Sequence, residues 1–183
     1  LMKIVVTGGL GLIGHNVVSR LEDMGHEVLI IDNMTNYGII PQTEIDYLIH
    51  ERMKKFKTRD IRILDIASSS VDKVFAEFKP EIVMHLASFP RQKVVNANPQ
   101  KGAHCMCEGL LNLLELSVKN DIKKFLYISS SMIYGEFKDN VKEDAICRPE
   151  GQYGIMKYMG EKLVQDYERK GLLKAITIRP SAV

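Results

Sequence analysis

The chain has 183 residues, of which 45% are hydrophobic and 26% are charged, and its formal net charge is +2. This composition is typical of a globular protein with one sizeable core, and the small net charge gives no argument for binding nucleic acid. No apolar run reaches the roughly 18 residues that a membrane span needs, so we expect neither a nucleic acid nor a membrane as partner.

The chain enters a predicted strand directly, without the apolar segment of a signal peptide. Its three cysteines lack the spacing of a zinc site, and its five histidines are scattered. We therefore expect a cytoplasmic protein with reduced thiols and no metal site.

The N-terminus predicts a strand, a tight turn and a helix, because an apolar run leads into Gly8, Gly11 and Gly14. Gly8 lets the chain turn out of the strand, Gly11 leaves room for a pyrophosphate, and Gly14 lets the helix pack on the strand. The N–H groups of Leu12 and Ile13 would then point at the phosphates from the positive end of the helix. The pattern indicates the opening of a dinucleotide-binding βαβ unit.

A second predicted strand, residues 27–31, ends in Asp32 and is followed by Asn33. A carboxylate at this place can accept hydrogen bonds from both ribose hydroxyls of an adenosine, and it repels a 2′-phosphate, so it favours NAD over NADP. The alternative is an ordinary strand–helix turn in which Asp32 caps a helix.

A third strand is predicted over residues 60–64, and the end of this strand is a natural place for an adenine contact. Asp65 can accept from the adenine amino group, and Ile66 can cover the ring. Asp65 also suits the N-terminus of a helix predicted over residues 68–78, and both roles can hold.

The fourth predicted strand, residues 81–87, is almost continuously apolar, which is typical of a central parallel strand buried on both faces. Ala87 and Ser88 are small and would let a dinucleotide cross this edge of the sheet. His85 is interpreted as a core histidine rather than a catalyst.

The remaining elements continue the alternation of strands and helices. The predicted helices cover residues 41–56, 99–119 and 152–170; the predicted strands cover 123–128 and 174–179; residues 132–151 are mostly loop. The alternation predicts a doubly wound parallel α/β sheet of the Rossmann type, with strand order 3-2-1-4-5-6, in a single domain over residues 1–183.

Hydroxyl groups and a lysine are predicted to meet at the carboxyl edge of this sheet. The fifth strand ends in three serines, and Tyr153 and Lys157 lie four residues apart, on one face of the last helix. An ammonium one turn away favours the phenolate and lowers the pKa of Tyr153. Ser131, Tyr153 and Lys157 therefore suit proton transfer to or from an alcohol while a nicotinamide exchanges hydride.

Together these motifs resemble the extended short-chain dehydrogenase/reductase family, the NAD-dependent epimerase/dehydratases that act on nucleotide sugars. The matching stretches are 7–14, 32–33, 65–66, 85–87, 129–135, 153–157 and 178–180. The resemblance implies bound NAD, with Tyr153 as the catalytic base, Lys157 as its partner and Ser131 at the substrate hydroxyl.

The resemblance further implies that Leu86, Ser129 and Pro180 contact the cofactor, as do Tyr153 and Lys157. It also implies a nucleotide-sugar substrate and a homodimer formed by two helices per subunit, around residues 105–119 and 153–170.

Two positions depart from the family pattern. Met106 stands where relatives carry an asparagine, and Ser131 and Met132 stand where the dehydratase branch carries an acid pair. The triple serine resembles the 4-epimerase branch.

The family's C-terminal substrate lobe is absent, so we expect a fragment that holds NAD but has weak or no activity. A dehydrogenase or reductase of the same family and a non-catalytic NAD-sensing module remain as alternatives.

Overall fold

The computed structural model describes residues 1–136 and 139–181. Six parallel strands form one sheet in the order β3-β2-β1-β4-β5-β6, which confirms the predicted order. The strands are β1 (Lys3–Thr7), β2 (Glu27–Asp32), β3 (Ile61–Ile63), β4 (Ile82–His85), β5 (Lys124–Ile128) and β6 (Ala175–Ile178).

Within residues 1–136 and 139–181, seven α-helices alternate with or follow these strands. They are α1 (Gly14–Asp23), α2 (Gln42–Met53), α3 (Ser70–Phe78), α4 (Gln92–Ala97), α5 (Pro99–Ala103), α6 (Gly109–Lys119) and α7 (Gly151–Arg169).

Helices cover both faces of the sheet, as the alternating sequence pattern predicts. Side chains of α3, α6 and α7 pack with one set of strand residues, including Val5 and Leu29. Side chains of α1 and α2 pack with the alternate set, including Ile4 and Ile30. Alternate residues of each strand thus face opposite sides of the sheet, and both sides are buried. This packing on both faces supports the loops at the carboxyl edge of the sheet.

Two details of the helices differ from the sequence-based expectation. The predicted long helix over residues 99–119 contains a π-helical turn, His104–Glu108, between α5 and α6. The short helix α4 was not predicted, because six residues are too few to show a helical period. None of the helices in residues 1–136 and 139–181 is both long and apolar enough to cross a bilayer.

Candidate active site at the carboxyl edge of the sheet

The glycine turn joins the ends of three adjacent strands. Gly8 has a φ of +70°, and its N–H donates to the carbonyl oxygen of Ile31 at 2.8 Å. A Cβ at Gly8 would lie 2.7 Å from the backbone nitrogen of Ala87, at the end of β4. A side chain at this position is therefore excluded both by conformation and by space.

Gly14 is the first residue of α1, and a Cβ there would collide with the carbonyl oxygen of Gly8. The helix consequently starts in direct contact with the turn. Leu12 and Ile13 precede α1 and are exposed, and the first N–H groups of a helix lack intrahelical partners. The turn thus presents N–H donors and a positive helix end to the solvent side, as an anion such as a pyrophosphate requires.

Asp32, at the end of β2, is held in place by two backbone N–H donors. One belongs to the glycine turn and the other to the loop that follows β2. One carboxylate oxygen accepts from the N–H of Leu10 at 3.0 Å, and the other accepts from the N–H of Met34 at 2.8 Å. Each oxygen keeps a free lone pair, so the carboxylate can still accept from a diol. Asn33 is exposed, and its side-chain oxygen accepts from the N–H of Thr35.

At the end of β3, the side chain of Asp65 lies at the surface and the side chain of Ile66 lies in the core. Asp65 does not cap α3, since one of its oxygens accepts from the N–H of Ala67 and the other lies 3.2 Å from His104. The Ile66 side chain is only 4% exposed and packs against Gly109 in the core. The expected cover over an adenine ring is therefore limited to the small exposed part of this residue and its backbone.

Two buried hydroxyl groups lie at the ends of the central strands. Among residues 1–136 and 139–181, the Oγ atoms of Ser88 and Ser129 are inaccessible to solvent and have no hydrogen-bond partner. A buried unsatisfied hydroxyl costs free energy, and in native proteins such groups mark a site for a ligand, ion or water. Together with the glycine turn and Asp32, these hydroxyls fit an elongated polar ligand lying across the sheet edge, such as a dinucleotide.

The neighbouring histidine is part of the core, as expected. His85 Nδ1 lies 2.8 Å from the Thr7 hydroxyl, which also accepts from the N–H of Ala87. Burial lowers the pKa of His85 to about 3, so the imidazole is neutral at physiological pH. It ties β1 to β4 below the site.

Lys157 is only 4% exposed, and its ammonium donates to the carbonyl oxygen of Ile128 at 2.8 Å. The same nitrogen lies 5.9 Å from the centre of the Tyr153 ring, so the predicted pair does share one face of α7. Burial lowers the pKa of Lys157 to about 8.

The effect expected on the phenol is wrong in direction. Burial raises the pKa of Tyr153, and a hydrogen bond with the Ser130 hydroxyl lowers it by a smaller amount. The ammonium of Lys157 faces the Ile128 carbonyl, and the removal of the phenol from water outweighs its influence.

The serine whose hydroxyl lowers the pKa of this phenol is Ser130, and the role of Ser131 at a substrate hydroxyl stays a prediction. Ser131 begins a 3-10 turn, Ser131–Tyr134, and its N–H donates to the carbonyl oxygen of Pro180 at 2.9 Å. The Ser130 hydroxyl caps this turn by accepting from the N–H of Met132 at 3.2 Å. The orientation of each serine side chain depends on the residue at which the 3-10 turn begins. Three identical residues in a row do not show which residue that is.

The sequence did not lead us to predict the ion pair between Glu161 and Arg179, which lies one helical turn beyond Lys157. Glu161 lies on α7 and is fully buried, and its carboxylate is paired with Arg179, directly after β6. A charged residue on an amphipathic helix ordinarily faces solvent, so the hydrophobic pattern of α7 did not predict that Glu161 is buried. The spacing of four between Lys157 and Glu161 was the one available signal.

Comparison with known proteins shows the family to which the chain belongs. Residues 4–183 match the profile of the NAD dependent epimerase/dehydratase family. The chain is 33% identical, over 172 residues, to a putative UDP-glucose 4-epimerase of Methanocaldococcus jannaschii; the match covers 91% of this chain and 51% of that protein.

Solved structures give the same result for the fold. The UDP-glucose 4-epimerase of Thermus thermophilus in complex with NAD superposes with a TM-score of 0.81 at 27% identity, over 97% of this chain and 54% of that one. The Thermotoga maritima UDP-glucose 4-epimerase with UDP-glucose superposes with a TM-score of 0.80 at 31% identity, over 97% of this chain and 55% of that one. The chain thus spans about half the length of the relatives it matches.

Proposed function

The chain belongs to the NAD-dependent epimerase/dehydratase family, and from that premise we propose that it is the NAD-binding domain, residues 1–183, of a two-lobed nucleotide-sugar 4-epimerase. The proposal is supported by Tyr153 and Lys157, which share one face of α7 at the sheet edge, and by Ser130, whose hydroxyl lowers the pKa of Tyr153. The glycine turn and Asp32 lie at the same edge, on the neighbouring strands.

In this proposal NAD lies across the carboxyl edge of the sheet. Asp32 would hold the adenosine ribose, the N–H groups around Leu12 and Ile13 would hold the diphosphate, and Ser88 and Ser129 would lie toward the nicotinamide half. Bound NAD supplies a hydride acceptor and, in its oxidised form, a positive charge near the phenol.

Tyr153 is the proton acceptor for a sugar hydroxyl, and the Ser130 hydroxyl bonds to the phenol oxygen, which stabilises the phenolate. Lys157 holds its ammonium beside the aromatic ring and against Ile128, within the same desolvated region. Burial raises the pKa of Tyr153, and the Ser130 hydroxyl is the group of this chain that favours its phenolate form.

The substrate class follows from the relatives, which act on UDP-sugars by name. Ser131 and Met132, where dehydratases carry an acid pair, favour epimerisation over removal of water. We propose the cytoplasm as its location, because the three cysteines are free thiols.

We also propose a homodimer through α6 and α7. These helices pack against each other and each exposes a large apolar side chain, Leu111 at 39% and Ile155 at 53%. Sedimentation of the purified protein, with Ile155→Glu as the disrupting variant, tests this association.

The decisive assay incubates the purified full-length protein, including its second lobe, with NAD and UDP-glucose or UDP-galactose, and follows both sugar interconversion and transient NADH absorbance. Interconversion without net use of NAD supports the epimerase. Stoichiometric consumption of NAD identifies a dehydrogenase instead, and NAD binding without any turnover on UDP-sugars would reject the proposed activity.

A further inference from the structure

An ion pair lies inside the protein, next to the proton-transfer residues. Glu161 is 0% exposed, and its two carboxylate oxygens accept from Nε and Nη2 of Arg179 at 2.9 and 2.8 Å. Taking the Glu161 carboxylate out of water is costly, and well-packed apolar residues often stabilise a protein equally well; the Arg179 side chain stays 18% exposed. The two-pronged geometry therefore indicates a role in orientation.

Arg179 uses its remaining nitrogen to hold two further segments. Nη1 donates to the hydroxyl of Tyr134 at 2.7 Å and to the carbonyl oxygen of Glu143 at 2.8 Å. The guanidinium also lies over the Tyr134 ring, 5.1 Å from its centre. One side chain thus connects α7, the 3-10 turn and the loop that precedes α7.

The segment held in this way carries Ser130. Tyr134 is the last residue of the 3-10 turn, and the Ser130 hydroxyl caps its first. On either side of Arg179, the carbonyl oxygens of Ile178 and Pro180 accept from the N–H groups of Ser129 and Ser131 at 2.8 and 2.9 Å. Ser130 is therefore fixed between two hydrogen bonds to the strand end that Arg179 continues.

The other half of the contact is fixed by α7. Tyr153, Lys157 and Glu161 follow one another at intervals of four residues, so they lie along one face of that helix. Glu161 anchors this face to Arg179, eight residues beyond Tyr153. The ion pair thus sets the distance between the helix that carries the phenol and the turn that carries the serine.

We propose that Glu161 and Arg179 are positioning residues, which hold the Ser130 hydroxyl against the Tyr153 phenol by way of Tyr134. The consequence for catalysis rests on the proposed epimerase function. The geometric claim concerns this chain alone and is tested without turnover.

The test is Tyr134→Phe, which removes a single hydroxyl and keeps the ring. Incorporated 3-fluorotyrosine reports each phenol by 19F NMR, and Tyr153→Phe assigns the resonance of Tyr153. We expect the pKa of the Tyr153 phenol to rise by roughly half a unit to one unit, the size of one lost hydrogen bond. The matched control is Tyr47→Phe, on the exposed side of α2, which should leave that resonance unchanged.

A second variant, Arg179→Lys, keeps the positive charge but removes the two-pronged contact. We expect it to shift the Tyr153 resonance in the same direction as Tyr134→Phe. Unchanged titration of Tyr153 in Tyr134→Phe would overturn the proposal, whether or not Arg179→Lys folds, and would assign the ion pair to stability alone.

Activity of the full-length, two-lobed protein provides an independent readout where its wild type turns over UDP-sugars. There, Tyr134→Phe should lower kcat several-fold at unchanged KM and move the pH profile of kcat to higher pH. Equal kcat and an unmoved profile would contradict the positioning role. A wild type without turnover would reject the epimerase assignment, and the phenol titration would still decide the positioning claim.

Discussion

The two ends of the candidate site are built by different means. At the glycine turn, position depends on backbone groups and on missing side chains: a Cβ on Gly8 or Gly14 would strike the backbone. At the hydroxyl end, position depends on charged side chains, namely the buried Lys157 and Glu161 and the half-buried Arg179. The first end should be damaged by added atoms, and the second by removed charges.

The largest effect is expected at the hydroxyl end, from Tyr153→Phe. A general base contributes about 10²- to 10⁴-fold to a rate, and kcat should fall by that amount if the phenol is the base. The dissociation constant for NAD, measured by titration calorimetry, should stay close to that of the wild type, since the glycine turn is untouched. Retention of turnover would show that another group accepts the proton.

Breaking the buried ion pair should cost the most stability. Arg179→Met leaves the Glu161 carboxylate buried without its partner, and loss of one member of such a pair typically costs about 3–5 kcal/mol. Urea unfolding measures the free energy. The matched control is Lys73→Met, which breaks an exposed pair with Glu77 (side chains 81% and 47% exposed) and should cost less than about 1 kcal/mol. Similar losses in both variants would contradict the account.

At the glycine turn, one added carbon atom should be enough to lower stability and to weaken the binding of NAD. Gly14→Ala places a Cβ against the Gly8 carbonyl, and overpacking of this kind costs about 1–3 kcal/mol. Binding of NAD should weaken as well. In Gly171→Ala, the new Cβ meets nothing within 4 Å and only the positive φ is strained, at about 1 kcal/mol and without effect on NAD. Unchanged NAD affinity in Gly14→Ala would separate the turn from the cofactor site.

The smallest effect concerns the charge of Lys157. Its pKa is lowered from 10.5 to about 8, so between these values the unfolded chain binds more protons than the folded one. The contribution of Lys157 to stability should therefore rise with pH, by about 2 kcal/mol between about pH 8 and 10. It is measured as the difference from Lys157→Met, because burial raises the pKa of the Cys105 and Cys107 thiols and their effect on stability has the opposite sign above about pH 9. Lys157→Met should lack this rise in urea unfolding series, and an equal rise in both proteins would place its origin elsewhere.

The same division explains what the sequence could predict. Strand order, the glycine turn and Asp32 follow from apolar periods and from residue types with strict backbone demands, and the strand order is confirmed. Local spacing correctly put Tyr153 and Lys157 on one helix face. These features need only information from neighbouring residues.

The misses all depend on contacts between distant segments. Among three serines in a row, the spacing does not show that Ser130 is the one hydrogen-bonded to the Tyr153 phenol, and the role of Ser131 at a substrate hydroxyl stays a prediction. The burial of Glu161 depends on Arg179, which lies 18 residues away. The direction of the Tyr153 pKa depends on how deeply the phenol is buried, and a spacing of four does not encode burial.

The most direct measurement is a crystal structure of this chain grown with excess NAD. The account predicts the adenosine ribose at Asp32, the diphosphate at the N–H groups of Leu12 and Ile13, and the nicotinamide half beside Ser88, Ser129 and the Tyr153 phenol. A crystal without NAD in this crevice, or with the nicotinamide directed away from Tyr153, would contradict it.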